Sequence, residues 1–538
     1  MTARSNTESA PNGYGVPGAH PEINPWIIAI AVMLGTFMEV LDTTVVNVAL
    51  PHIAGNLSAT VDETTWVLTS YLVSNAIVLP IAGWLSNHFG RKRILLASVF
   101  GFTVSSLACG LAPNLQTLIV FRVIQGATGG GLQPLSQAIM LEAFPPQDRG
   151  KAMAFWGLGI VVAPMLGPVL GGWITDTYSW RWIFYLNLPI GIAATVMAKL
   201  FVFDPSYIRR TSNRIDYWGF GLLIVGMSGL QIMLDKGQQE DWFSSKFIVV
   251  LAVLMVLGLT GFIIRELMTR DPVVNLKVFR NRTYATGIFM MTVLGFVLYG
   301  STVLIPIWLQ TLMGYPALQA GMAVLPRGLG SFLFMPLVGI LMSKVEPRKL
   351  LLVGYLAAGT GLLLLGNLSL DAGYWDIFWP QILQGAAMGL LFVPLTTITN
   401  DPIPKEEMGN ATSIFNLMRN VGGSIGIASV TTLVARAEQS NANVLGAHVN
   451  VWNLSTQSMI SAAREMFMSK GSDYVTATRQ AYGVLFGMVQ EHAAMLAFVK
   501  AFRLLGILFF IMVPFILIMR KPRHLRGGGG VGGGVGGH

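Results

Sequence analysis

Cysteine is almost missing from this chain: Cys109 stands alone among 538 residues, so no intrachain disulfide can form and no cysteine-based metal site can be built. Charge is nearly as scarce. Asp, Glu, Lys and Arg make up 11% of the residues, against about 25% in soluble domains. With 53% hydrophobic residues beside so few charges, a water-soluble globule is excluded. No GxxxxGK[ST] loop is present to cradle a phosphate, so direct ATP drive is unsupported. His52, His88, His448 and His492 are scattered over loops without ligand spacing and read as surface residues. No nucleophile and base stand together convincingly, so neither metal, cofactor nor enzymatic activity is expected. The net charge of +9 sits in short loops between apolar runs rather than on one folded face, which argues against nucleic-acid binding. Strictly alternating segments of about 10 residues, which a transmembrane β-barrel needs, are lacking as well.

What the chain does have is apolar runs, recurring from Trp26 almost to Met519. Each is long enough to cross a hydrocarbon core of about 30 Å as a helix. Fourteen spans are predicted, near 26–50, 64–85, 94–112, 115–142, 151–174, 182–203, 216–234, 246–268, 284–313, 319–343, 350–369, 376–400, 409–434 and 495–519. The first 24 residues are polar and rich in Pro and Gly, without the pattern of a secretory signal, and read as a tail before an uncleaved span. Alternate loops carry Arg91, Lys92 and Arg93; Arg149 and Lys151; Arg209, Arg210 and Arg214; Arg265, Arg270, Lys277, Arg280 and Arg282; Lys344, Arg348 and Lys349; Lys405; and Arg520, Lys521, Arg523 and Arg526. The loops on the other side hold almost none. The positive-inside rule then puts both termini in the cytoplasm.

The two halves repeat. A shift of 259 pairs Gln125-Gly126 with Gln384-Gly385, Gly150 with Gly409, Ala152 with Ala411 and Gly167 with Gly426. A shift of 256 pairs Pro80 with Pro336, Gly83 with Gly339 and Leu85 with Leu341. The simplest plan is an all-α membrane protein of two six-helix bundles, 26–207 and 276–520, with two inserted helices in 208–275 and tails at 1–25 and 521–538. Residues 435–494 are expected to form a long extracytoplasmic loop, helical in its later part after Ser472. The Gly-rich tail from Arg526 is expected to be disordered.

Charged residues inside apolar spans are costly and point to function. Asp42 in span one must face a cavity, pair with a cation or be protonated, which suits a proton carrier; a structural hydrogen bond to a neighbouring helix is the other reading. Glu39, three residues earlier, is either a second proton site or a cavity charge that attracts cations. At about 1.5 Å per residue, Arg122 in span four lies at a depth similar to Asp42, so the two can pair; alternatively Arg122 ties helices together through backbone carbonyls. Arg327 and Arg419 lie inside spans of the second half, Arg327 reading as structural and Arg419 open between a substrate contact and a structural one. Span five carries Gly159, Ala163, Gly167 and Gly171 at intervals of four, a stripe on which another helix can lie, and Pro164 and Pro168 should bend it. Aromatic, amide and charged residues expected to line a substrate cavity are Glu39, Trp66, Tyr71, Asn75, Gln125, Gln133, Trp156, Tyr299, Trp308, Gln310, Phe392, Asn416 and Arg419.

Five motifs occur in order at the predicted spans: LDTTVVNVALP from Leu41, GWLSNHFGRKR from Gly83, FRVIQGATGG from Phe121, APMLGPVLGG from Ala163 and WRWIFYLNLPIG from Trp180. Together they resemble the major facilitator superfamily, specifically its fourteen-span drug:proton antiporters of the EmrB/QacA type. The resemblance runs from Trp26 to Arg520. It implies two bundles around a central cavity and proton-driven export of small-molecule drugs across the lipid bilayer. In members from double-membraned bacteria it also implies a periplasmic adaptor and an outer-membrane channel, for which 435–494 is the expected contact. It implies proton coupling through Arg122 with Gln125 and Gly126. Gly167, Pro168, Gly171 and Gly172 would form an antiporter motif sealing the halves against proton leak. Gly83, Asn87, Gly90, Arg91 and Lys92 would form a cytoplasmic gate. Two departures stand out: Asn87 replaces the aspartate of many members, and Lys500 stands where relatives have an aspartate before the last span. Amphipathic, cationic drugs are the expected cargo. Export of an endogenous metabolite, siderophore or fatty acid is the alternative, and a membrane assembly platform the remote one.

Overall fold

The computed structural model describes residues 24–204, 216–269, 272–450 and 452–519. Most of the N-terminal tail, the Gly-rich tail, and Arg209, Arg210, Arg214, Arg270, Arg520, Lys521, Arg523 and Arg526 lie outside the described residues. Among the described residues every regular element is helical. In chain order these are α1 (Pro25–Asn56), α2 (Val61–Thr64), α3 (Trp66–Phe89), α4 (Arg91–Leu111), α5 (Leu115–Gly129), α6 (Leu132–Ala143), α7 (Arg149–Thr177), α8 (Trp182–Tyr185) and α9 (Asn187–Phe201). Then follow α10 (Tyr217–Lys236), α11 (Lys246–Met268), α12 (Arg282–Thr311), α13 (Ala317–Leu341), α14 (Pro347–Leu365), α15 (Tyr374–Asn400), α16 (Met408–His448), α17 (Leu454–Ser469) and α18 (Tyr474–Met512).

Helix starts follow local chemistry. Asn24 accepts from the Trp26 N–H with Pro25 at the first position of α1, and Asn114 accepts from the Thr117 N–H at α5. Among the described residues twelve helices are long and apolar enough to cross a membrane. The expected spans 115–142 and 409–434 fall outside that set for physical reasons. The first is split into α5 and α6 at Gly130-Gly131, where the chain lies against α3: a methyl on Gly130 would come 2.7 Å from the Asn75 carbonyl oxygen. The second, on α16, carries Asn410, Asn416, Arg419 and Asn420.

The expected 435–494 loop is mostly helix. α16 continues unbroken to His448, α17 follows, and α18 begins at Tyr474, so the segment is a helical hairpin rather than a loop that orders only after Ser472. Asp473 caps α18 by accepting from the N–H groups of Val475 and Thr476, each at 3.1 Å.

Packing repeats between the halves. α1 lies on α7 and α9, α3 on α5, and α4 on α5 and α9; correspondingly, α12 lies on α16 and α18, α13 on α15, and α14 on α15 and α18. The inserted α10 and α11 pair with each other, and α10 leans on α3 and α16. The halves meet where α3 crosses α16 and α7 crosses α13, and this explains the repeated glycines. A methyl on Gly83 would sit 2.7 Å from the Asn410 backbone, and one on Gly339 would sit 3.1 Å from the Lys151 Cα and 3.2 Å from the Gly150 oxygen. Gly83 with Gly409, and Gly339 with Gly150, are two copies of one helix contact that only glycine permits.

Candidate functional site

Asp42 lies in the middle of α1 and is 2% exposed; Arg122 on α5 is wholly buried. The Arg122 Nη1 donates to Asp42 Oδ2 at 2.5 Å and to Gln125 Oε1 at 2.8 Å, while Nε donates to the Val67 carbonyl at 3.1 Å. Arg122 therefore makes both contacts that its sequence position suggested, an ion pair and a backbone tie. The other carboxylate oxygen, Oδ1, accepts from Gln125 Nε2 at 3.0 Å and Asn187 Nδ2 at 2.7 Å. Asn187 also donates to Ser106 Oγ at 2.9 Å. The guanidinium carbon stands 4.2 Å from the Tyr71 ring centroid. A buried ion pair persists only when its remaining lone pairs are bonded, and Gln125 and Asn187 bond those of Asp42. Asn187 and Ser106 were not among the expected site residues. The available signal was an amide within the apolar WRWIFYLNLPIG stretch, which folds as the α8–α9 break and turns Asn187 toward α1.

A second buried group spans the halves. Glu39 Oε1 accepts from Asn75 Nδ2 at 2.9 Å and from Gln133 Nε2 at 3.2 Å. The same Gln133 accepts, through Oε1, a hydrogen bond from Arg419 of α16. Glu39, Gln133 and Arg419 thus form a chain from one half to the other. Asn416 Nδ2 donates to Gln137 Oε1 at 2.5 Å, and Thr412 Oγ1 to the Pro134 carbonyl at 3.0 Å, alongside it. Trp156 of α7 stacks on Phe392 of α15 at 5.7 Å, and the Arg419 guanidinium stands 5.9 Å from the Phe392 centroid. Several polar atoms here are buried without a hydrogen-bond partner among the described residues: Glu39 Oε2, Trp156 Nε1, and Arg419 Nε and Nη1. A buried polar atom left unbonded is costly, so a polar molecule that bonds these atoms gains free energy.

The expected cavity set divides. Glu39, Tyr71, Asn75, Gln125, Gln133, Trp156, Phe392, Asn416 and Arg419 belong to these two groups. Trp66 instead lies under the Lys236 ammonium, 5.5 Å from its ring, at the far end of α3. Trp308 is packed between helices, its Nε1 donating to Met495 Sδ at 3.2 Å, and Gln310 is exposed. Both sit near the end of α12, which packs on α13, α15, α16 and α18 of its own half. Tyr299 packs on Gly423 of α16 within its own half. Arg327 donates to Thr302 and Ser301 of α12 at 3.1 Å each, tying helices of the second half.

At the gate, Asn87 Nδ2 donates to the Glu406 carbonyl at 3.4 Å and Arg91 Nη2 to the Lys405 carbonyl at 3.3 Å, both across the halves; Arg91 also pairs with Glu142 of its own half. An ionised aspartate at position 87 could not donate that bond. Lys92 does not cross: its N–H donates to Asp204 Oδ1 at 2.8 Å and its ammonium stands 4.8 Å from the Phe203 ring. Gly90, at φ +95°, turns the chain against the same carboxylate. The stripe on α7 does not lie between the halves either. Gly167 packs on Thr44 and Gly171 on Val45, both of α1, and nothing lies within 4 Å of a methyl at Gly172. Pro164 and Pro168 sit within an unbroken α7 whose opposite contacts, through Gly150 and Ala154, reach α13.

Paired helical halves with a buried carboxylate–guanidinium pair and a polar chain between them define a polytopic membrane carrier. The chain belongs to the Major Facilitator Superfamily, whose sequence profile matches residues 32–427. It is 40% identical over 466 residues to the multidrug export protein EmrB of Haemophilus influenzae, covering 86% of this chain and 91% of that one. It is 35% identical over 504 residues to the fatty acid resistance protein FarB of Neisseria gonorrhoeae, covering 93% and 97%. The human organic anion transporter MFSD10 (TETRAN) shares the fold at a TM-score of 0.58 with 14% identity, over 92% of this chain and all of that one.

Proposed function

We propose that this protein is a proton-driven efflux antiporter for amphipathic toxic compounds, crossing a bacterial inner membrane fourteen times with both termini in the cytoplasm. The observation that carries the reading is Asp42, a carboxylate buried within an apolar helix and bonded by Arg122, Gln125 and Asn187. Protonating it removes the charge that holds Arg122, so α1, α3 and α5 lose a shared tie. The Glu39–Gln133–Arg419 chain lies one helical turn away on α1 and crosses between halves, so that loss can be read by the half-to-half contact. The contacts of Gly83 with the start of α16, and of Asn87 and Arg91 with the segment before it, latch one end, which is one of the two states that alternating access requires.

Two kinds of cargo fit. Glu39 Oε2 offers an acceptor to a cationic drug. Arg419 offers two free donors to an acidic one, a second reading favoured by the similarity to FarB. Gradient-driven uptake of ethidium and of a pyrene carboxylate into inside-out vesicles separates them. Arg419→Gln is expected to lower uptake of the acid by about tenfold, the worth of one buried charged hydrogen bond, and spare the cation. Uptake of neither by folded protein would point to another substrate and refute the drug-export reading.

The α16–α18 hairpin, with Trp452, Leu454, Tyr474, Tyr482 and Phe486 exposed, is the proposed contact for a periplasmic adaptor leading to an outer-membrane channel. Removing residues 440–485 is expected to spare vesicle uptake and abolish cellular resistance. Loss of both would show that the hairpin is part of the carrier instead.

A further inference from the structure

A groove of about 440 Å³ runs between α16 and α18 at the hairpin end of the second half, lined by Asn441, Leu496, Lys500, Arg503, Leu504 and Ile507 among others. Its two cations lie three residues apart on one face of α18, and no carboxylate lines it. Arg503 is fixed in place: Nε donates to the Gly366 carbonyl at 2.8 Å and Nη2 to Asn367 Oδ1 at 2.7 Å, at the end of α14. It has no carboxylate partner among the described residues, and Lys500 there has neither an ion pair nor a hydrogen bond. Arg181, another cation at this end, is by contrast spent on the carbonyls of Gly110 and Ala112.

The level of the groove is marked independently. The apolar run of α14 stops at Leu365, and the next helix opens with Tyr374, Trp375 and Trp379 all exposed, the aromatic belt of a membrane–water boundary. Below Arg503, toward the bilayer centre, α18 exposes Leu504, Ile507 and Ile511 in the stretch that faces acyl chains. Two unneutralised cations at headgroup level above an exposed aliphatic wall match one kind of molecule.

We propose that this groove holds an anionic glycerophospholipid of the leaflet on the hairpin side, its phosphate between Lys500 and Arg503 and an acyl chain along Leu504 and Ile507. The lipid bridges Asn441 of α16 and α18, and through Arg503 is tied to the end of α14, so it braces the root of the hairpin. A soluble anion would meet the same cations but would gain nothing from the aliphatic wall.

The test is thermal unfolding of the full chain in neutral detergent, titrated separately with phosphatidylglycerol, phosphatidylcholine and inorganic phosphate. Phosphatidylglycerol is expected to raise the unfolding midpoint, and the other two to leave it in place. Lys500→Glu and Lys500→Gln are expected to unfold at the unmodified protein's midpoint without lipid and to lose most of the rise. An equal rise with phosphatidylcholine or inorganic phosphate, or an undiminished rise in both variants, would overturn the proposal. Because the readout is stability and not transport, it stands or falls independently of the antiport reading.

Discussion

Asp42 accepts hydrogen bonds from three side chains, and each has a different origin in the sequence. Arg122 was legible because helical rise places it at the depth of Asp42, and a buried cation needs an anion. Gln125 follows it by three residues and so shares its face. Asn187 was not legible as a partner, because its direction depends on the break between α8 and α9, which no periodicity announces. Asn187→Leu removes one charged hydrogen bond, worth about 1.5–3 kcal/mol, from Asp42 and leaves Ser106 Oγ without its donor. Gradient-driven uptake by this variant is expected to fall by about tenfold, with the protein still extracted as a folded monodisperse species. Unchanged uptake would remove Asn187 from the coupling site. The cavity residues were less legible than the buried charges. Trp308 and Gln310 have the right chemistry, but one packs on α18 of its own half and the other is exposed, and helical periodicity does not say which neighbour a side chain meets.

At the scale of elements, the spans follow from apolar runs, and the exceptions have local causes. A glycine pair split span four, and a polar inner face lowered the hydropathy of α16 without unwinding it. The hairpin escaped because α16 and α18 carry their helices past the membrane boundary into polar sequence, where the apolar signal ends before the helix does. The gate motif was legible as glycine spacing, but the direction of Lys92 was not, since Asp204 lies beyond α9. The close contact of Gly83 with Asn410 yields a direct prediction. Gly83→Leu drives a side chain into backbone, an overpacking cost of about 1–3 kcal/mol that falls only on the latched state. Spin labels at positions 87 and 406 are expected to move apart in this variant, and transport to drop to background. Labels that stay close, with transport intact, would show that the contact is incidental.

For the whole molecule, the internal repeat was the most informative sequence feature. Pairs 259 and 256 residues apart fall at equivalent helix crossings in the two halves, and one pair of pairs, Gly83 with Gly409 and Gly339 with Gly150, is where the halves touch. Duplication therefore accounts for both the architecture and the shared contact on which rocking would act. It says little about asymmetry. The carboxylates Glu39 and Asp42 lie in the first half and Arg327 and Arg419 in the second, so proton and cargo need not be handled by equivalent residues. The central claim is that protons drive transport through Asp42. It is tested most directly by pH-gradient-driven uptake of ethidium into inside-out vesicles, comparing the unmodified protein with Asp42→Asn. The account predicts uptake that requires the gradient and vanishes in the variant while ethidium still binds; gradient-driven uptake equal in both would contradict it.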